Sequence, residues 1–156
     1  FGVFVRALAY ILELGGPGLK RTTQMAVLNS AYLRARLEPF YHLPYPTATL
    51  HESVFSDKLQ KKFGVTNVDV VKRLMDYGFH PPTMSFPLVV SGALMIEPTE
   101  TESKEELDRF CSALQKIAQE AEESPDLLKQ SPKKTFRSRL DETTAARKPK
   151  LTWHKL

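Results

Sequence analysis

A chain of 156 residues with 42% hydrophobic side chains is long enough to close one hydrophobic core and too short for several. Its single cysteine, Cys111, excludes an internal disulfide framework and fits a reducing compartment. The formal charge of +4 is uneven, acidic over 97–126 and strongly basic over 129–155, without the interleaved cations and aromatics of a nucleic-acid surface. No apolar run reads as long enough to span a membrane, and no secretory signal is visible. The chain opens at Phe1 inside an apolar helical pattern, without methionine, and is expected to be a piece of a longer protein.

Phe1, Phe4, Val5, Leu8, Ile11 and Leu12 recur at helical spacing. They predict a first helix over Phe1–Leu14, stopped by Gly15-Gly16-Pro17-Gly18, with Pro17 near the start of the next element. The second helix, Leu19–Leu37, is apolar almost all round at Met25–Leu28 and Ala31–Leu33, which predicts burial on more than one side. Three prolines between Pro39 and Pro46 impose irregular backbone. Thr47–Phe55 alternates as a strand and contains His51-Glu52. That pair offers an acid or a base, histidine being the side chain most easily tuned near neutral pH. Inside a strand, however, neighbouring side chains point to opposite faces and cannot form one site. Asp57–Phe63, with Lys61-Lys62, is predicted to be a flexible polar loop.

Thr66 is placed to cap a helix whose stripe is Val68, Val71, Leu74 and Met75, and Gly78 to close its last turn. Pro81-Pro82 force extended backbone. Thr83–Phe86 then alternates as a strand that Pro87 limits to an edge or an end, and Leu94-Met95-Ile96 is a second short apolar strand. Glu97–Glu102 leads into a helix that opens on Ser103-Lys104-Glu105-Glu106, a capping-box pattern. Leu107, Phe110, Cys111, Leu114, Ile117, Ala118 and Ala121 form its apolar stripe, so Cys111 reads as a small buried apolar residue rather than a nucleophile. Pro125–Gln130 reads as one or two helical turns. The basic segment 131–156 is expected to be extended, with Phe136, Leu140, Leu151 and Trp153 as apolar anchors on a neighbouring domain or subunit.

The order helix, helix, strand, helix, strand, strand, helix, tail predicts an α+β layer, a three-stranded sheet covered by helices on one face. No Gly-rich phosphate loop follows a strand. His42, His51, His80 and His154 are scattered, and Glu97–Glu102 lacks the ligand spacing of an EF-hand, so no metal site is expected. Carboxylates in that run suit a helix entry.

Two runs, Phe79-His80-Pro81-Pro82-Thr83 and Leu94-Met95-Ile96-Glu97-Pro98-Thr99-Glu100, carry a resemblance. With Ala26-Val27-Leu28-Asn29-Ser30-Ala31-Tyr32-Leu33, His51-Glu52, Val70-Val71-Lys72-Arg73-Leu74, Arg139-Leu140-Asp141-Glu142 and Ala145-Ala146-Arg147, they cover nearly the whole chain in order. The pattern resembles the C-terminal region of glycine decarboxylase, the P-protein of the glycine cleavage system (aminomethyl-transferring glycine dehydrogenase). It is most similar to subunit 2 of the two-subunit prokaryotic form. The family carries an aromatic after the His-Glu pair where this chain has Ser53, so packing there is expected to differ.

The resemblance implies the small C-terminal domain of a fold-type-I pyridoxal-phosphate enzyme. Residues 1–37 would lead from a large domain, 38–130 would form the small α+β domain and 131–156 the basic tail. It further implies a parent enzyme that decarboxylates glycine and transfers its aminomethyl group to the lipoyl arm of the H-protein. Pyridoxal phosphate would be bound mainly by the large domain. The partners would be that domain, subunit 1, the H-protein and glycine, with neither nucleic acid nor membrane. The Schiff-base lysine is expected upstream of Phe1 in a His-Lys-Thr motif; His154-Lys155-Leu156 lacks the threonine. No catalytic residue is therefore expected in this piece, and alone it is expected to be inactive. His80, Thr83, Glu97 and Thr99 are implied to line the cleft toward the large domain. Local roles stay open beside this: His80 as a hydrogen-bonded turn residue, Thr99 and Glu100 as helix-entry groups. So do two other readings, the small domain of another fold-type-I decarboxylase or aminotransferase, and a stand-alone binding module using the basic tail. The expected compartment is the cytoplasm for a prokaryotic source and the mitochondrion for a eukaryotic one.

Overall fold

A computed structural model describes residues 1–153; His154, Lys155 and Leu156 lie outside the described residues. The chain opens with α1 (Gly2–Leu37), a single 36-residue span broken at Gly15, whose φ of 59° and ψ of −176° are not helical. Pro17 follows in the first turn after the break, where its missing N–H costs nothing. The stop anticipated at Gly15 is thus a kink between two helical halves. The second half buries Asn29, Ser30, Leu33 and Leu37, one stripe rather than several sides, and Leu28 stays 58% exposed.

By length and composition α1 is apolar enough to cross a membrane, which corrects the expectation that no run is. Its broken backbone at Gly15 and its charged Arg6 and Glu13 are features that a bilayer penalises.

Three short strands follow: β1 (Ser53–Ser56), β2 (Thr83–Met84) and β3 (Ala93–Ile96). Both pairings are antiparallel and β3 is central, with Ser53 opposite Ile96, Phe55 and Met84 both opposite Leu94, and Thr83 opposite Met95. β1 is shorter than the Thr47–Phe55 strand expected, because Thr47–Glu52 pairs with nothing in the sheet. His51 and Glu52 therefore precede the strand, and their exposed side chains meet at 3.2 Å instead of facing opposite ways. β2 stops after Met84 because Ser85 turns into left-handed backbone at φ 60° while its N–H donates to Ala93 O.

The segment expected to be a flexible loop is built instead. Asp57 and Gln60 are buried, and Gln60–Phe63 forms a 3-10 helix. The Asp57 carboxylate accepts the Asn67 N–H at 2.8 Å and lies 3.0 Å from the Lys61 ammonium. Gln60 Nε2 donates to Phe40 O. Two buried polar groups with partners hold this segment in place.

α2 (Asn67–Asp76) starts in a full capping box, in which Thr66 and Asp69 each accept from the other's backbone N–H. It ends in a Schellman motif: Gly78 N–H donates to Met75 O and Phe79 N–H to Leu74 O, with Gly78 at φ 85°. α3 (Lys104–Glu123) is capped by Ser103, whose hydroxyl accepts from Glu106 N–H. Its stripe is buried as expected, packing on α1, α2 and α4 (Pro125–Lys129). One core joins Leu33, Leu37, Phe55, Val70, Leu74, Leu94, Leu114 and Ile117. Burial pushes the Cys111 thiol up to about 11, which leaves it an inert core group. Ser53 stands under the sheet with its hydroxyl 2.8 Å from that of Ser30, both buried, so a polar pair fills the position after the His-Glu pair.

The beginning of the tail straps α2. Asp76 Oδ1, at the helix C-terminus, accepts the N–H groups of Lys133 and Lys134 at 2.7 and 2.8 Å. Asp69, at the N-terminus, takes Arg139 at 2.7 Å, and the same guanidinium donates to Leu128 O and Ser131 O. These contacts are polar, whereas the four anticipated apolar anchors are exposed, Trp153 at 91%. Short α5 (Glu142–Arg147), capped by Asp141, interrupts the otherwise extended tail.

Emptying the core at Leu114→Ala is expected to cost about 2–5 kcal/mol, read as a lower urea midpoint at unchanged slope; an unchanged midpoint would contradict the packing. The strap gives a pH signature. Burial raises the Asp76 carboxyl, but the N–H groups of Lys134 and Lys133, the Ser131 hydroxyl and Arg73 outweigh it and hold the group below the usual carboxylate range. A depressed folded value stabilises above the unfolded pKa of about 3.9 and fades as pH falls through the folded one. Asp76→Ala should therefore cost about 1 kcal/mol at pH 7, roughly the net worth of the charge-assisted hydrogen bonds lost from the part-buried N–H groups of Lys133 and Lys134. The gap from wild type should narrow below pH 4 in urea titrations; a pH-independent gap would contradict the carboxylate's role.

Candidate functional site

The two sequence runs singled out above meet at one end of the sheet. β2 enters where β3 leaves, so the turn before Thr83 and the turn after Ile96 lie side by side. Between them and α3 opens a cleft of about 380 Å³. Leu33 of α1, Phe79, Pro81, Pro82, Ile96 and Leu107 give it apolar walls. His80, Glu97, Glu102 and Glu106 supply its polar groups.

Local chemistry explains each wall. The Schellman turn at Gly78 reverses the chain and drives Phe79 against Phe110 of α3, edge to face at 5.3 Å. Arg109 lies over the outer side of the Phe79 ring, 5.6 Å from its centre, and pairs with Glu106. Pro81 and Pro82 keep the next residues extended until β2 begins. On the opposite wall, Pro98 is buried and the acidic segment after it is tied to α1. Asn29 Nδ2 donates to Thr99 O at 2.8 Å and reaches Glu102 O at 3.5 Å. Tyr10 O–H donates to Glu100 at 3.3 Å.

Of the four residues nominated from sequence, His80 and Glu97 line this cleft. Thr83 sits in the β2–β3 ladder opposite Met95, with its side chain exposed. The Thr99 hydroxyl lies 2.7 Å from that of Thr101, and its carbonyl takes Asn29. Sequence reasoning passed over Asn29, Glu102 and Glu106. Asn29 sits in an apolar helical run, and a buried amide there is a signal that something needs its hydrogen bonds.

Behind the α3 side of the cleft, Asp108 accepts from Arg36 and Tyr32 and pairs with Lys104 at 2.6 Å. Lys104 and Tyr32, ahead of Arg36, hold its carboxyl down at about 2. This cluster fixes α3 against α1 without entering the cleft. The cleft can therefore hold an apolar group beside a neutral or cationic one. Three carboxylates line it without a lysine or arginine, the wrong donor set for a phosphate. Among the described residues no group of acidic, histidine and cysteine side chains is arranged to hold a metal ion.

Comparison with known proteins places this geometry. The family model for "Glycine dehydrogenase, C-terminal domain" matches residues 22–137. The chain is 56% identical over 155 residues to a Lysinibacillus sphaericus protein named probable glycine dehydrogenase (decarboxylating) subunit 2, covering 99% of this chain and 32% of that protein. The protein of the same name from Halalkalibacterium halodurans is 53% identical over 156 residues, covering 100% and 32%. The chain thus spans about a third of the length of these relatives. A crystal structure of glycine decarboxylase (P-protein) of the glycine cleavage system, in inhibitor-bound form, has a similar fold. The TM-score is 0.58 and the identity 22%, over 70% of this chain and 24% of that one. Neither alternative reading, another fold-type-I small domain or a stand-alone basic module, finds support in these matches. Both cleft-forming runs and the α1 segment that braces them fall inside the matched residues, and the chain belongs to the glycine dehydrogenase C-terminal domain family.

Proposed function

We propose that this chain is the C-terminal domain of a glycine decarboxylase subunit, and that its cleft forms one wall of that enzyme's active site. The observation that carries the reading is the convergence of 79–82 and 96–102 on one braced cavity inside the family match. The parent enzyme would decarboxylate glycine and pass the aminomethyl group to the lipoyl arm of the H-protein, in the cytoplasm, together with subunit 1. Pyridoxal phosphate would supply the electron sink for loss of the carboxyl group. The cleft's carboxylates do not fit that cofactor's phosphate, so binding of the phosphate and the Schiff-base lysine belong to the rest of the longer protein.

The role left to this domain is positioning and exclusion of water. Apolar walls of Phe79, Pro81, Pro82, Ile96 and Leu107 suit a site in which a carboxylate leaves as a neutral gas. His80 and Glu97 at the cleft are placed to hold an ammonium or to hold and return a proton. Asn29 keeps the Glu97–Glu102 segment at its height over the cleft.

In the complete protein, His80→Ala and Glu97→Gln should each lower the rate of glycine decarboxylation by tenfold or more, roughly the effect of losing one positioned group. The absorbance of the bound cofactor should stay unchanged. Full activity in both variants would contradict the assignment. The present chain mixed with pyridoxal phosphate should yield no stoichiometric borohydride-reducible imine, and a single saturable lysine would contradict the division of labour.

A further inference from the structure

His51-Glu52 offers an acid and a base, and the one objection to their acting together was that neighbours inside a strand face opposite ways. The fold removes that objection. The pair precedes β1, and His51 Nε2 lies 3.2 Å from Glu52 Oε1. Neither residue lines the cleft, so the roles assigned above leave the pair unused.

The sheet register puts the pair at the cleft's end of the molecule. Ser53 is opposite Ile96, so the β1 edge, continued outward, sets Glu52 abreast of Glu97 and His51 abreast of Pro98. Thr83 is opposite Met95, so the β2 edge, continued outward, sets Pro81 abreast of Glu97 and His80 abreast of Pro98. Consecutive Cα atoms are only about 3.8 Å apart, so residues one or two places beyond a paired position stay close to this row. Glu97-Pro98 thus leaves the sheet between two histidine-bearing segments, one from each edge. The cleft takes in the β2 side of the row, with His80 and Glu97. The β1 side carries His51 and Glu52.

The segment that bears the pair is tethered at both ends. The buried Ser53 hydroxyl donates to Ser30 O at 3.3 Å and lies 2.8 Å from the Ser30 hydroxyl. At the far end Arg34 donates to Thr47 O. Both tethers run to α1, the helix whose Asn29 braces the acidic segment on the other side of the row.

A carboxylate beside Nε2 favours the imidazole tautomer with its hydrogen there, which leaves Nδ1 as an acceptor. Nδ1 takes no hydrogen bond among the described residues. Two carboxylates abreast, Glu52 and Glu97, draw a cation rather than an anion or a neutral thiol. Glycine brings a cation, its ammonium, which must give up a proton before its nitrogen can act as a nucleophile. We infer that His51, oriented by Glu52, takes that proton. This rests on the reading of the cleft as a wall of the active site. In the step an N–H bond of the ammonium breaks and one forms at Nδ1. The positive charge passes to the imidazole beside Glu52, and the proton leaves to the solvent that the pair meets, the His51 side chain being 57% exposed.

The test uses the complete enzyme with its cofactor and H-protein. His51→Ala should lower kcat/KM for glycine tenfold or more. The KM for H-protein, the cofactor absorbance and the melting temperature should not change, because an exposed ion pair adds little to stability. Added imidazole should restore part of the rate, since the exposed position leaves room for it. Glu52→Gln should lower kcat/KM for glycine by less, and the double variant should be no worse than His51→Ala, because Glu52 acts through His51. Full activity of His51→Ala, a loss that imidazole does not restore, or additive losses in the double variant overturns the proposal. A raised KM for H-protein with glycine kinetics intact assigns the pair to the carrier and also overturns it. Where the proposal fails while His80→Ala and Glu97→Gln are impaired, the reading of the cleft stands; where those two are fully active as well, that reading falls with it.

Discussion

β3 is four residues long, and the rest of the domain depends on its being paired along both edges. An unpaired edge on so short a strand would leave buried N–H and C=O groups unmatched, at a cost the small sheet could not absorb. β1 and β2 satisfy the two edges, and the helices close the face that carries Phe55 and Leu94. The consequence for function is geometric. With three short antiparallel strands, the turns at the two ends of β3 become two separate surfaces, the cleft at the Ile96 end and the 85–92 loop at the Ala93 end.

Each surface is held by buried polar groups rather than by apolar packing alone. Asn29 braces the acidic segment at one end, and the Asp57–Asn67 joint braces the 85–92 loop at the other. Buried polar groups of this kind specify geometry because every partner must be present. The same logic runs along α2, where Asp69 and Asp76 hold the strap of 131–139 at both helix ends. The strap ties the start of the tail to its own domain and leaves Leu151 and Trp153 outward.

What the sequence made legible is local. Thr66, Gly78, Ser103 and the stripe of α3 declare themselves because caps and periodicity depend on neighbours a few residues away. The three-strand plan and the two cleft-forming runs were readable for the same reason, with the family resemblance adding their meaning. Asp57 and Gln60 were not, since a polar run with three lysines reads as solvated until tertiary contacts with Asn67 and Phe40 are known. His51-Glu52 was misplaced because alternation continues past the point where β1 finds a partner. Glu102 and Glu106 reach the cleft, and Asn29 braces the segment beside it, through the packing of α1 and α3, which no spacing along the chain encodes. Arg139 was legible as part of a motif, but its three-way contact with Asp69, Leu128 and Ser131 was not.

The central claim is that the cleft built from Gly78–Pro82 and Ile96–Leu107 faces the reacting centre of the complete enzyme. A structure of the full two-subunit protein with its cofactor tests it most directly. The account predicts that His80 and Glu97 turn toward the cofactor-bearing lysine, with the cleft closed off from bulk water. A cleft open to solvent on the outer surface of the assembly, with both side chains remote from the cofactor, would contradict it.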